Sequence, residues 1–134
     1  MFDTKIAVIV RNDLQMWQKL NVTAFTVSGI ASLPDVLGDR YVDASGRTYL
    51  PMLRQPVVIF AASANALRAA YDAAAETDVE MAIYTQELFT TGHDDANRAA
   101  VRAVPSAELR LAGLAARGPR KKVDRITKGL SLHG

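Results

Sequence analysis

The chain has 134 residues, of which 49% are hydrophobic and 22% charged, and its net charge is only +2. That length suits one globular domain over residues 1–134, and the near-neutral balance excludes a globally basic nucleic-acid binder, so any basic surface must be local. There is no cysteine, hence no disulfide or thiolate metal site, and no apolar run approaches the roughly 20 residues of a membrane span; the polar start "MFDTK" is no signal peptide, so a cytoplasmic enzyme or binding module is expected.

"KIAVIV" (Lys5 to Val10) is a continuous β-branched run and predicts a buried strand. After a polar break, Trp17, Leu20, Ala24, Val27 and Ala31 recur at helical spacing and predict a helix from Met16 to Ala31, with this stripe facing the core. Asn12 and Asp13 precede it and are good caps, while Pro34 blocks its continuation. Tyr41-Val42 and Thr48-Tyr49-Leu50 flank the turn formers "DASG" and predict a hairpin. "QPVVIFAA" (Gln55 to Ala62) predicts a second buried strand, with Ser63 capping the alanine-rich helix that follows. "EMAIYT" (Glu80 to Thr85) predicts a third strand and "HDDANRAAVRAV" a helix. "LRLAGLA" (Leu109 to Ala115) predicts a fourth strand and "GPRKKVDRITKGL" a last helix, with Pro119 at its first position. This alternation implies an α/β three-layer sandwich with crossover connections and a mixed, mostly parallel sheet.

In open α/β sheets, ligands bind beyond the carboxyl ends of the strands, where helix N-termini converge. Three post-strand segments are rich in polar groups: "RND" with Lys19, "TQELFTTGHDDANR" and "RGPRKK". Arg120, Lys121 and Lys122 would crowd the first turn of the last helix. There they oppose the macrodipole unless an anion is bound. A solvated basic helix start is the alternative. Lys19 and Thr23 share a helical face, so Lys19 could hold phosphate or stabilise an ester oxyanion, or simply face solvent. Trp17 reads more readily as core than as a base-stacking platform. His93, beside Asp94 and Asp95, could act as general base, although the two aspartates also suit a helix start. No second histidine clusters with it, so neither a metal nor a cofactor is expected; His133 lies near the C-terminus.

"KIAVIVRNDLQMWQKLNVTAF" resembles the opening of type 2 peptidyl-tRNA hydrolases, where a strand ends in an R-x-D-L-x-M motif and a lysine-bearing helix follows. "LAGLAARGPRKKVDRITKGLSLH" resembles that family's closing strand, Gly-Pro turn and final helix. The whole chain is more closely similar to a bacterial family of unknown function with this fold, through "WQKLN", "YLPMLRQP", "TGHD", "AN" and "GPRK". The resemblance implies a peptidyl-tRNA-hydrolase-like α/β fold, basic residues that grip tRNA, and frequent homodimers. Arg11, Asp13 and Lys19 match its first motif, and Thr90 falls near its threonine. The hydrolases' glycine- and lysine-rich loop is replaced by "MWQK", and Gln86 and Glu87 stand where an aspartate belongs. The resulting expectation is an anion pocket at the strand carboxyl ends for tRNA or a nucleotide-like phosphate, with ester hydrolysis as its chemistry. Lys19 would stabilise the oxyanion, and Glu87 or His93 would activate water. Arg11, Asp13, Thr23, Arg120 and Lys121 would hold substrate. The competing expectation is a binding module that has lost hydrolysis.

Overall fold

The computed structural model describes residues 2–134. Its sheet is built around β1 (Thr4–Arg11), in which Ile6 to Val10 are at most 1% exposed. Each branched side chain of this run contributes about 1.5–3 kcal/mol on leaving water. β1 is flanked by β4 (Val57–Ala62) and β6 (Leu111–Pro119), and the full strand order is β5-β6-β1-β4-β7. β5 is Glu80–Thr85, as its sequence predicts, and β7 is the short C-terminal strand Ser131–Leu132. A separate pair, β2 (Tyr41–Val42) and β3 (Thr48–Tyr49), forms the predicted hairpin.

Helices cover both faces. Ala7, Ile9, Phe60 and Ala62 pack against α2 (Ala64–Ala75) and α4 (Arg120–Ile126) through Leu67, Ala70, Val123 and Ile126. Ile6, Val8 and Val10 pack on the other side against α1 (Met16–Ala31) through Val22 and Ile30. The layering is therefore α/β/α. No helix among the described residues is long and apolar enough to cross a membrane.

The sheet is mixed, but it is not mostly parallel. Only β1 and β4 pair in parallel; β1–β6, β5–β6 and β4–β7 are antiparallel. The reason lies in α3 (Asp94–Arg102), which has no buried residue and packs chiefly on the 3₁₀ turn Gln86–Phe89. A parallel neighbour needs a helix laid across the sheet face to return the chain to its starting edge. α3 stays at the end of β5 instead, so β6 runs back antiparallel beside it.

α1 presents a different face to the sheet from the one its apolar stripe suggests. Val22, Thr26 and Ile30 are buried, whereas Trp17 and Leu20 are 50% and 62% exposed. Small residues set this rotation. A Cβ on Gly113 of β6 would lie 2.4 Å from Val22 Cγ1 and 2.7 Å from the Ile9 carbonyl oxygen, and one on Gly29 would lie 2.9 Å from the Ala82 Cβ. The helix thus settles where glycines let backbone and sheet touch.

The last helix also ends earlier than its sequence suggests. Pro119 closes β6 and caps α4, which stops at Ile126; Gly129, at φ 83°, then turns the chain into β7. That positive φ favours glycine, which has no Cβ to clash.

Candidate functional site

β1, β4 and β5 all point towards one pole of the sheet, and the structure places the first polar motif there on two sides of the end of β1. On the β6 side sits Arg11, whose side chain is 16% exposed. Its Nε donates to Asp13 Oδ1 at 2.6 Å, Nη1 to the Leu111 carbonyl oxygen at 3.0 Å, and Nη2 to Gln86 Oε1 at 2.8 Å. All three guanidinium nitrogens donate, and together they tie the end of β1 to the start of β6 and the turn after β5. Asp13 is therefore a partner of Arg11 and not the cap of α1. That cap is Gln15, whose backbone N–H donates to Gln18 Oε1 at 2.9 Å. The bond from Arg11 holds the Asp13 carboxyl below its ordinary range.

On the β4–β7 side lies a cavity of about 310 Å³, lined by Val10, Met16, Lys19, Leu20, Thr23, Ile59, His133 and Gly134. Lys19 and Thr23 come together here as the helical spacing predicts, and Thr23 Oγ1 donates to the Lys19 carbonyl oxygen at 2.8 Å. Lys19 Nζ stands 3.3 Å from His133 Nε2. His133 Nδ1 stands 2.8 Å from the Gly134 carbonyl oxygen. Both contacts are satisfied by the tautomer protonated on Nδ1, with Nε2 accepting from the ammonium. β7 sets this geometry: Phe60 pairs with Leu132, and the His133 N–H donates to the Ile59 carbonyl oxygen at 2.9 Å.

His133 is the residue that sequence reasoning missed, because two strand residues after a glycine turn carry almost no periodic signal. The available signal was Gly129 followed by "LSLH", a turn with a short alternating run.

The other candidates are dispersed. Glu87 lies in the turn after β5, where Arg110 Nε donates to its Oε1 at 2.9 Å. A backbone N–H donor, with help from Arg110, lowers its carboxyl from the ordinary range. Thr90 caps that turn, its Oγ1 donating to the Glu87 carbonyl oxygen at 3.0 Å. His93 is the N-cap of α3, its Nδ1 accepting from the Ala96 N–H at 3.3 Å, and Asp94 pairs with Arg98. None of these three lines the cavity with Lys19.

Trp17 is surface, not core: it packs edge-on against Phe89, with ring centroids 5.8 Å apart, and donates to Gln15 Oε1.

Arg120 and Lys121 lie at the opposite pole. Because β6 is antiparallel to β1, its end at Pro119 pairs with Thr4, and the Arg120 N–H donates to the Asp3 carbonyl oxygen at 2.9 Å. The expected single basic rim therefore does not form. Lys122 pairs with Asp78, and Lys5 pairs with Asp124 at 2.6 Å, so neighbouring carboxylates neutralise part of this basic segment.

Comparison with known proteins adds identity of family but no activity. Residues 4–134 match the model of a family described as "Protein of unknown function (DUF2000)". A solved structure of a protein of unknown function from Agrobacterium tumefaciens strain C58 is 47% identical, with a TM-score of 0.94 and 100% of each chain covered. No curated protein gave a significant match. The match over nearly the whole length establishes that the chain belongs to the DUF2000 family.

Proposed function

We infer that this chain binds a small organic anion with an apolar portion in the Lys19–Thr23–His133 cavity. The observation that carries this reading is the cation–imidazole pair, 3.3 Å apart, on an otherwise apolar wall of Val10, Met16, Leu20 and Ile59. No side-chain carboxylate among the described residues pairs with Lys19. A half-buried cation without a side-chain carboxylate partner gains from a ligand that supplies negative charge. The volume of about 310 Å³ suits a single acyl or nucleobase-sized group.

Ester hydrolysis is the second reading, favoured by the same pair. Once the Lys19 ammonium turns from His133 Nε2 to the ester oxygen, that nitrogen's lone pair is free to take a proton from water as the water attacks the ester carbonyl. Lys19 would stabilise the oxyanion, and collapse of the tetrahedral adduct would expel the alcohol, which recovers the proton from His133. The sequence resemblance to type 2 peptidyl-tRNA hydrolases, carried by Arg11, Asp13 and Lys19, is what supports an ester at an RNA 3′ end as substrate. Arg120 and Lys121 cannot contribute to it, being at the far pole.

Titration of hexanoate and adenosine monophosphate, followed by the NMR signals of the His133 ring, tests the binding reading. Turnover of a short-chain fluorogenic ester and of peptidyl-tRNA, in the parent and in Lys19→Ala and His133→Ala, tests the chemistry. Shifts without turnover leave a binding module; no shift with either probe removes both readings.

A further inference from the structure

We propose that the hairpin arm of one chain packs on the outward face of α1 in a second copy, and reciprocally, to form a twofold dimer. Two elements of this fold lack the partners their physics requires. The first is the arm. Residues 41–50 are all exposed, and β2 and β3 pair with each other alone. Among the described residues the arm's backbone ties to the body lie at its root, in the Leu37–Leu53 bridge and the bonds from the Gly38 and Arg54 N–H groups to the Met52 and Val36 carbonyl oxygens. A two-stranded ribbon is marginal in water unless it packs on a helix or further strands.

The second element is α1, which is apolar on nearly every side, with Lys19 its single charged residue. Such a helix is normally enclosed all round. Here only the Val22–Thr26–Ile30 side meets the sheet, while Trp17, Leu20 and Phe25 are at least half exposed.

The two needs answer each other. Ala24, Val27 and Ala31 of α1, together with the arm root at Leu37 and Met52, line an open apolar groove of about 560 Å³. The arm carries the matching ridge, with Val42 and Leu50 at 63% and 72% exposure. Ten large apolar side chains on α1 and the arm are exposed by 42% to 72%. Together they offer on the order of 1,000 Å² per chain, above the roughly 800 Å² per partner that a stable interface uses.

Charge favours a second copy over a strongly charged partner. Asp39, Arg40, Asp43 and Arg47 give the arm two charges of each sign, and the helix face has none. Residues of one type of surface meeting themselves across a twofold axis need this kind of balance.

Sedimentation equilibrium on the full chain at micromolar concentration should give twice the chain mass. Leu20→Glu and Leu50→Glu, both at exposed positions, should each give a folded monomer, with unchanged circular dichroism and at least tenfold weaker association. Because the chain has no cysteine, a mixture of Leu20→Cys and Leu50→Cys chains should cross-link on mild oxidation into a mixed dimer. A monomeric parent overturns the proposal and leaves the face to a different protein. A dimer untouched by both glutamate variants, with no mixed cross-link, overturns it in favour of another interface.

Discussion

Lys19 Nζ lies 3.3 Å from His133 Nε2, joining the second turn of α1 to the residue just after β7, 114 positions away in sequence. The contact depends on β7 adding to the edge of β4, so the cavity is completed only when the C-terminal strand is in place. It also poises the imidazole as an acceptor beside a cation, an arrangement that an anion or ester can enter by replacing one hydrogen bond.

Lys19→Ala should weaken binding of an anionic probe at least tenfold, about 1.4 kcal/mol, and flatten its dependence on salt. Lys19→Arg should retain charge and recover part of the affinity. Isothermal titration at several ionic strengths measures both. Affinity that is equal in all three proteins would place the anion elsewhere.

Arg120→Ala and Lys121→Ala should leave that affinity and its salt dependence unchanged, because the antiparallel path of β6 puts both residues at the far pole. Loss of binding in either variant would mean that the ligand spans both ends of the sheet. The same titration decides this.

Arg11→Ala should destabilise the fold by about 1.5–3 kcal/mol, the range for bonds to a charged group, since it strips donors from the Leu111 carbonyl and Gln86. Urea unfolding measures the change. An Arg11→Lys variant should recover little, because an ammonium cannot span three partners in a fork.

Gly113→Ala should be among the most damaging single-methyl additions in the chain. The new Cβ meets both Val22 and the backbone oxygen of Ile9, which cannot move away without parting β1 from β6. A loss at or beyond the about 1–3 kcal/mol of ordinary overpacking is expected. Gly92→Ala, with nothing within 4 Å, provides the contrast. Adding Val22→Ala should relieve only part of the loss.

Acid should loosen the strand ends first. The carboxyls of Asp13 and Glu87 are held below their ordinary range, chiefly by the Arg11 bond and by a backbone N–H respectively. A depressed folded-state value means the unfolded chain binds protons first as pH falls. The stabilisation is complete above the ordinary carboxylate value of about 4 and is lost as pH drops through the lower folded value. Melting temperatures between pH 7 and pH 3 should fall less steeply in Asp13→Asn than in the parent.

The elements themselves were largely legible in the sequence. Lys5 to Val10, Glu80 to Thr85 and Met16 to Ala31 announce a strand, a strand and a helix, because β-branched runs and helical periodicity are local properties. The pairing of Lys19 with Thr23 followed from the same periodicity. What local pattern cannot express is direction and rotation. The sheet is mostly antiparallel because α3 does not cross it, and Arg120 and Lys121 are carried away from Lys19 for that reason. α1 turns Trp17 and Leu20 outward because Gly29 and Gly113 admit close contact on the opposite side. His133 reached the cavity through a two-residue strand that only the edge of β4 stabilises. Sequence determined which segments would be strands and helices; long-range packing decided which of their side chains meet.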